Sequence, residues 1–348
     1  MPSPSLAATC RCVLGAVLLA AWACRGADGA HEVRLVGEAL GTGWAATLVT
    51  REPPQPGRVA ELRRRVVAVL DRVDRGMSTW REDAELVRFN RLGGSPPFHF
   101  SAETRRVVAA ALELARETGG AFDPTVGPLV ALWGFGSHAA TSDPSEQELE
   151  RARARVGWAK LSWDDEGGLA AAPGVELDLS AIAKGYAVDA VVGELSSEPL
   201  LGLLVELGGE VRGFGLAASG EPWRVGIEDP SAPGSGFEAV VALSGAALAT
   251  SGDYRRLRVV DGERRSHVID PRSGRPVRTR VASASVVAPT CMEADAVATA
   301  LMVLGPAAAL AFVEDRPWLE ALLLLREGDR IVERRASSNW TGWLAPER

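Results

Sequence analysis

Hydrophobic residues recur at two different spacings along this chain, and together they predict a mixed α+β fold. Between Glu61 and Arg75, apolar side chains recur every three or four positions among arginines and acids, which is the pattern of an amphipathic helix. A second helix is predicted to start after Ser101, a favourable N-cap, and to end at Gly119-Gly120. A third, polar helix is predicted at 143–157, with Pro144 just inside its start. The predicted apolar face of the first helix consists of Val59, Leu62, Val66, Leu70 and Val73.

Short runs of β-branched and other apolar residues dominate the second half and predict strands. Gly, Asp and Pro separate these runs, and Asp261-Gly262 is a strong hairpin signal. Two more strands are predicted around Gly41 and Gly43, and ELDLSAIAKGYAVDAVVGEL is predicted to pass from an extended segment into a helix. Residues 290–305, TCMEADAVATALMVLG, predict a buried helix. The expected fold is therefore α+β, with mostly antiparallel strands and helices packed on them.

The first 23 residues have the features of an export signal. Arg11 precedes an apolar run, Val13 to Ala23, that is too short to span a bilayer comfortably. The run ends in AWAC, which is either an ordinary cleavage site or a lipobox that makes Cys24 the lipidated N-terminal residue. The lipobox is imperfect because Ala21 stands where leucine is usual, and a retained anchor is a third alternative. We favour the lipoprotein, with residues 1–23 as its signal and 24–348 as one exported domain.

Composition narrows the class of protein. The chain has 348 residues, of which 47% are hydrophobic and 24% charged, as in an ordinary globular protein. Its net charge of -7 argues against a general nucleic-acid binder, which needs a basic excess to neutralise phosphates. The four histidines are scattered, so no zinc-type cluster is predicted.

Four glycine-rich polar segments are the candidates for ligand contacts, because glycine lets the backbone approach a ligand closely. Each combines glycines with reactive or charged side chains, and no single segment is decisive. The segments are GGAFDPTVGPLVALWGFG (119–136), ELDLSAIAKGYAVDA (176–190), LATSGDYRR (248–256) and SHVIDPRSGRP (266–276).

Asp295 and Thr299 interrupt the predicted buried helix, and their spacing places both side-chain oxygens on one face. A carboxylate among apolar neighbours is costly unless it is paired or binds a cation. Hard oxygen ligands without nearby His or Cys suit Mg²⁺. The alternative is structural: Asp295 would cap a turn or pair with a buried arginine, and Thr299 would bond to its own helix.

The other segments contain what a phosphorylated ligand would need. Lys184 follows Asp178 in a turn of small residues, and Thr250 and Ser251 would donate hydrogen bonds to phosphate oxygens, with Arg255 or Arg256 nearby. His267 is a candidate acid or base in a turn, although a lone histidine is more often structural. Trp80 and Trp133 would stack on a heterocycle, or else pack in the core.

Eight ordered motifs closely resemble the FAD:protein FMN transferase family, the ApbE-like flavin transferases once labelled thiamine-biosynthesis lipoproteins. The resemblance runs from about Leu40 to Gly305 and continues more weakly to the C-terminus. The motifs are MSTWREDAELVRFNR, GGAFDPTVGPLVALWGFG, DLSAIAKGYAVD, VELGGEVRGFG, WRVGIEDP, ATSGDYRR, SHVIDPRSGRP and APTCMEADAVATALMVLG. The resemblance implies an ApbE-like, T-fold-like architecture and an enzyme that binds FAD and Mg²⁺. Such an enzyme moves the FMN half of FAD onto a threonine of an acceptor protein and releases AMP.

The resemblance also assigns residues. Leu40 stands where the family often has methionine at the flavin site, and Trp80 replaces the usual tyrosine there. The metal ligands fall on Asp295, Thr299 and Ala181, of which Ala181 would use its backbone carbonyl. Further FAD contacts are implied for Ala121, Phe122, Asp123, Asp178, Lys184 and Ile269, in addition to the Thr250 and Ser251 proposed above.

The implied mechanism uses charge. Mg²⁺ held by Asp295 and Thr299 would neutralise negative charge on the diphosphate, while His267 or Asp270 would take the acceptor threonine's proton. The family's usual acceptors are membrane respiratory flavoprotein subunits, and the expected location is the bacterial cell envelope, lipid-anchored and facing the periplasm. Two alternatives stay open: hydrolysis of FAD to FMN and AMP, and a non-catalytic periplasmic flavin-binding lipoprotein.

Overall fold

The computed structural model describes residues 29–136, 142–232, 234, 236–253, 257–260, 263–328 and 330–346, with the backbone alone for 257–260, 263 and 264. The proposed signal, the lipidation site Cys24, the arginines 255 and 256, and the Asp261-Gly262 turn lie outside the described residues.

The helices of this region are amphipathic or buried, as their positions require. In chain order they are α1 (Pro56–Met77), α2 (Glu85–Leu92), α3 (Ala102–Glu117), α4 (Gly127–Leu132), α5 (Glu146–Arg153), α6 (Ala183–Leu195), α7 (Cys291–Leu304) and α8 (Pro306–Glu314). In the part of the chain that is described, no helix has the length and apolar character needed to cross a membrane.

The strands, all paired antiparallel among the described residues, follow the predicted β-rich second half and the two strands predicted around Gly41 and Gly43, which form an N-terminal hairpin. They are β1 (His31–Ala39), β2 (Thr42–Thr50), β3 (Leu161–Trp163), β4 (Leu169–Ala171), β5 (Gly202–Leu207), β6 (Glu210–Gly215), β7 (Trp223–Glu228), β8 (Phe237–Leu243), β9 (Ala247–Gly252), β10 (Leu257–Val260), β11 (Glu263–Ser266), β12 (Ile269–Asp270), β13 (Arg275–Pro276), β14 (Val281–Ala288), β15 (Glu320–Glu327) and β16 (Arg330–Ala336).

One eight-stranded sheet organises the described chain, in the order β1-β2-β5-β6-β9-β14-β15-β16. Because side chains alternate across a strand, the two faces of the sheet contribute to two different cores. Leu203, Val205 and Leu207 of β5 belong to the main core with the helices, including α1, α6 and α7. On the opposite face, Val211 and Leu248 pack with the β7-β8 hairpin and the short turn that contains Trp340. This arrangement confirms the predicted α+β class.

The helix predictions are confirmed in kind and corrected at their ends. In α1 the predicted positions 62, 66, 70 and 73 are buried, while Val59 is half-buried. The helix begins at Pro56, earlier than predicted, since proline is favourable in the first turn. Ser101 caps α3 as expected, its hydroxyl accepting from Thr104 N at 3.4 Å. The position of Pro144 was wrong: Ser145 is the N-cap of α5, with a capping box to Glu148, so the proline precedes the helix.

Candidate functional site

Helices α6 and α7 touch at Gly185, and this contact places Asp295. The backbone N–H of Gly185 donates to Asp295 Oδ2 at 3.0 Å. A side chain at position 185 has no room, because an added Cβ would lie 2.2 Å from the carbonyl oxygen of Cys291 and 2.8 Å from Asp295 Cβ. The glycine in the AKGYAVD motif therefore sets how closely the two helices approach. Asp295 itself is buried, with 4% of its surface exposed.

The N-terminus of α7 is anchored to α6 by a carboxylate. Asp189 accepts from the backbone N–H groups of Cys291 and Met292, each at 2.9 Å, and forms an ion pair with Arg212 at 2.6 Å. Thr290 adds an N-cap, accepting from Glu293 N at 3.3 Å. These bonds satisfy helix N–H groups that have no partner within the helix and fix the register of α7.

Lys184 lies between two buried carboxylates. Its ammonium pairs with Glu210 and lies 3.8 Å from Asp295 Oδ1. Burial, together with repulsion from Asp295, raises the pKa of Glu210 to about 7, although Lys184 opposes the shift. Burial alone would lower the pKa of Lys184, but attraction to Asp295 and Glu210 outweighs it, so the pKa is raised and the ammonium stays charged.

Thr299 lies one turn beyond Asp295 on α7, and its hydroxyl meets Ser251 Oγ at 3.1 Å. This bond joins the TSG segment to the acidic helix face. Thr250 points to the other side of the sheet, where its hydroxyl meets Ser285 Oγ at 2.8 Å. The structure thus brings Ser251 to Thr299 but does not bring the Thr250 hydroxyl there.

The oxygen atoms available near Asp295 are of the kind that binds Mg²⁺. Gly185 is the third residue of α6, so its N–H has no acceptor within the helix and donates to Asp295, and the Ala181 carbonyl lies just before the helix. Among the described residues, no donor is bonded to that carbonyl. In the described ranges no three His, Cys, Asp or Glu side chains group as a metal site, so a cation here would need hydroxyl and carbonyl oxygens. Asp295, Thr299 and Ala181 offer that all-oxygen set.

The structure agrees only in part with the alternative interpretation, in which Asp295 and Thr299 have purely structural roles. Asp295 does accept from a backbone amide, but its cationic neighbour is Lys184 and no arginine pairs with it among the described residues. Thr299 bonds to Ser251 on another element. The two polar side chains therefore face a shared polar region between α6, α7 and β9.

Segment 119–136 is tied to the turn before α6. Asp178 N donates to Pro124 O at 2.7 Å, and the Asp178 carboxylate accepts from Ser180 N and Oγ at 2.9 and 2.6 Å. Asp123 is buried and accepts from Thr125 N, Thr125 Oγ1 and Trp158 N at 2.8, 2.6 and 3.0 Å. Burial raises the pKa of Asp123 while these bonds oppose the shift. Its carboxylate thus shapes the loop.

Ala121 and Phe122 pack their side chains in the main core, being 2% and 4% exposed. Because these two buried side chains directly precede Asp123, they hold the glycine-rich segment against the helices of the main core. The same segment continues through α4 to Trp133, which is buried and whose Nε1 donates to Gly274 O at 2.8 Å. Of the two interpretations of Trp133, core packing is the one the structure shows.

The HVIDP segment lies against α4. Ile269 is buried with Leu129 and Trp133, and the His267 ring lies 6.2 Å from the Phe135 ring, centroid to centroid. Asp270, the alternative base, forms an ion pair with Arg272 at 2.9 Å. The structure therefore joins segments 266–276 and 119–136, and through Asp178 and Gly185 it links both to α7.

The two residues assigned to the flavin lie at surface turns. Leu40 occupies the turn between β1 and β2 with a φ of 48° and packs partly against the main core. Trp80 follows α1 and is 73% exposed. No described contact joins either side chain to Asp295 or Lys184. An exposed indole is an available stacking surface.

Sequence reasoning missed three residues that build this site. Gly185 sets the distance between the helices, Asp189 anchors α7, and Glu210 holds Lys184. Glu210 stands in the VELGGE motif, where an acid follows a buried strand across a Gly-Gly turn. A carboxylate entering the next strand on its buried face is the pattern that would have found it.

The chain belongs to the ApbE family, since that family's model matches residues 40–323. A FAD:protein FMN transferase of Vibrio cholerae serotype O1 is 40% identical over 313 residues, covering 89% of this chain and 92% of the relative. One from Escherichia coli K12 is 35% identical over 322 residues, covering 90% and 87%.

Solved structures agree with the fold. The flavin transferase ApbE from Vibrio cholerae superposes with a TM-score of 0.82 at 39% identity, covering 90% of this chain and all of that one. The apo flavinyl transferase ApbE of Pseudomonas stutzeri gives 0.81 at 34% identity, covering 91% and 98%. The predicted family and the expected ApbE-like architecture are confirmed.

Proposed function

We propose that this chain is a Mg²⁺-dependent FAD:protein FMN transferase that attaches FMN through a phosphoester bond to a threonine of an acceptor protein and releases AMP. The observation that carries the proposal is the α6-α7 contact. It places a buried carboxylate next to a charged lysine, and α7 carries a hydroxyl one turn beyond that carboxylate. The names of the relatives support the same activity.

Different residues would have different roles in a phosphoryl-type transfer. Asp295, Thr299 and the Ala181 carbonyl would hold Mg²⁺, which supplies positive charge to the diphosphate. The Lys184 ammonium would bind a phosphate oxygen, and Ser251 would donate a hydrogen bond beside it. These groups stabilise the negative charge that grows during the reaction.

The covalent step exchanges one phosphorus–oxygen bond for another. The acceptor threonine oxygen attacks the phosphorus on the FMN side of FAD, and the bond from that phosphorus to the AMP oxygen breaks. AMP leaves with the electron pair, and the threonine proton passes to a base. We propose His267 for that role, with Asp270, whose carboxylate pairs with Arg272, as the alternative.

The proposal is tested by incubating the purified protein with FAD, Mg²⁺ and an acceptor domain that bears a surface threonine. Flavin fluorescence on the acceptor band in a denaturing gel, with one AMP per label, is the expected result. Release of FMN and AMP without labelling would mean a FAD hydrolase, and unchanged FAD would mean a flavin-binding protein. Replacing the acceptor threonine with valine is the matched control and should abolish labelling.

For His267→Ala we expect transfer to fall about 100- to 10,000-fold while FAD remains bound, because a general base contributes about that much. The measurement is the single-turnover labelling rate at saturating FAD, with FAD affinity measured separately by fluorescence. Asp270→Asn is the matched comparison, and its transfer rate should fall far less. A wild-type rate for the histidine variant would remove His267 from the mechanism, and a larger loss for the aspartate variant would make Asp270 the base.

We also propose that the protein works in the bacterial cell envelope, exported and anchored by a lipid on Cys24, with membrane respiratory flavoprotein subunits as acceptors. The AWAC sequence before a polar segment supports this placement. The intact mass of the mature protein tests it. A diacylglycerol-modified residue 24 is expected, and an unmodified cysteine or an intact 1–23 segment would contradict it.

A further inference from the structure

Glu210 reaches the proposed metal site from the sheet. It is the first residue of β6 and pairs directly with Leu207 of β5, whose side chain lies in the main core. Residues paired in this way share a face, so Glu210 points toward the helices. There Oε1 pairs with the Lys184 ammonium, whereas the buried Oε2 has no hydrogen-bond partner among the described residues.

The Lys184 ammonium is not shared equally by its two neighbouring carboxylates, Glu210 and Asp295. The Lys184 ammonium is bonded to Glu210 but stays 3.8 Å from Asp295 Oδ1, beyond hydrogen-bond distance. Two carboxylates and one ammonium give the cluster a net charge of about -1 when both acids are ionised. If the Glu210 charge were removed, Asp295 would be the one acid beside the ammonium among the described contacts. A lysine paired with Asp295 competes with any cation for that carboxylate.

We propose that Glu210 is a positioning residue, which holds the Lys184 ammonium away from Asp295 and so keeps that carboxylate available to a divalent cation. The inference rests on the proposed function, because it takes Asp295 as a metal ligand. Glu210 does not itself touch the cation in this account. It acts through the lysine, and the lysine remains free to meet a phosphate oxygen.

Glu210→Gln tests the inference by direct metal binding. Mn²⁺ is titrated into the FAD-free protein at pH 8.5, and free Mn²⁺ is followed by electron paramagnetic resonance. We expect binding about 10- to 100-fold weaker, the usual cost of removing a residue that orients a metal ligand. In turnover assays the half-saturating Mg²⁺ concentration should rise, while the rate at saturating Mg²⁺ changes much less.

A second substitution separates positioning from simple damage. In Lys184→Gln/Glu210→Gln the competing ammonium is absent and Asp295 again carries the one net charge, so Mn²⁺ binding should return to within about threefold of the wild type. A structural defect would persist or grow in the double variant. Recovery of binding by removing the lysine is therefore the decisive observation.

Glu206→Gln is the matched control. Glu206 lies in the same VELGGE motif but on the other face of the sheet, where it pairs with Val211 and accepts from Gly209 N at 2.9 Å. The same loss of charge there should leave Mn²⁺ binding unchanged. Thermal unfolding of each variant checks that the chain remains folded.

The outcomes distinguish this inference from the proposed function. If Asp295→Asn abolishes Mn²⁺ binding but Glu210→Gln binds like the wild type, the function stands and the positioning role is overturned. Weak binding in both the single and the double variant overturns it as well. If the wild type binds no Mn²⁺, the metal assignment and the inference fail together.

Discussion

Replacing Asp295 with Asn should reduce Mg²⁺-dependent transfer about 100- to 1,000-fold and leave the fold intact. The asparagine oxygen can still accept from Gly185 N, so the α6-α7 contact survives. What is lost is the charge that would bind the cation and, through it, stabilise the reacting diphosphate. Asp295→Ala removes the acceptor as well, leaving a buried N–H unpaired at a cost of about 1–3 kcal/mol. The two variants therefore separate charge from packing.

The measurement is the labelling rate of the acceptor across a Mg²⁺ titration, with the denaturant midpoint recorded for each variant. Glu293→Gln is the matched control, because Glu293 is an acid of the same helix whose carboxylate accepts from Trp318 Nε1 at 2.8 Å. It should retain wild-type transfer. If Asp295→Asn turns over normally, the metal assignment is wrong.

Periodicity and capping made much of this fold predictable, because they are local. The apolar spacing in 61–75 and the Ser101 cap are written into single helices, and both were confirmed. The end of α5 nearest Pro144 was misplaced because proline tolerates the position before a cap as well as the first turn. The strand runs indicated an antiparallel sheet, yet their spatial order depends on packing between distant segments.

In the candidate site, too, local features could be predicted from the sequence, and contacts between distant segments could not. The i, i+4 relation of Asp295 and Thr299 is a property of one helix, so spacing alone placed them on one face. Their partners come from other elements: Gly185 N from α6, and the Ser251 hydroxyl from β9. Spacing cannot show such contacts, although alternation along a strand would have placed Thr250 and Ser251 on opposite faces of the sheet. Glu210 escaped notice for the same reason, since its partner is 26 positions away in sequence.

Gly185→Ala should damage both stability and transfer, although it changes no polar group. Its Cβ would lie 2.2 Å from Cys291 O, a backbone atom that can move only if α7 moves. Separating the helices in this way is overpacking, with an expected cost of about 1–3 kcal/mol in the free energy of unfolding. It would also shift Asp295 relative to Lys184 and Ala181. A displacement near 1 Å in a catalytic arrangement lowers the rate about 100-fold.

Gly193→Ala supplies the matched comparison within the same helix. An added Cβ there meets no other atom within 4 Å, so alanine should be neutral or stabilise the chain by up to about 1 kcal/mol through its helix propensity. Denaturant midpoints and acceptor labelling at saturating Mg²⁺ are compared for the two variants. Equal behaviour would mean that α6 and α7 adapt to a side chain at position 185, and that close helix approach does not place Asp295. A loss confined to Gly185→Ala would show that backbone spacing, in addition to the choice of ligands, governs this site.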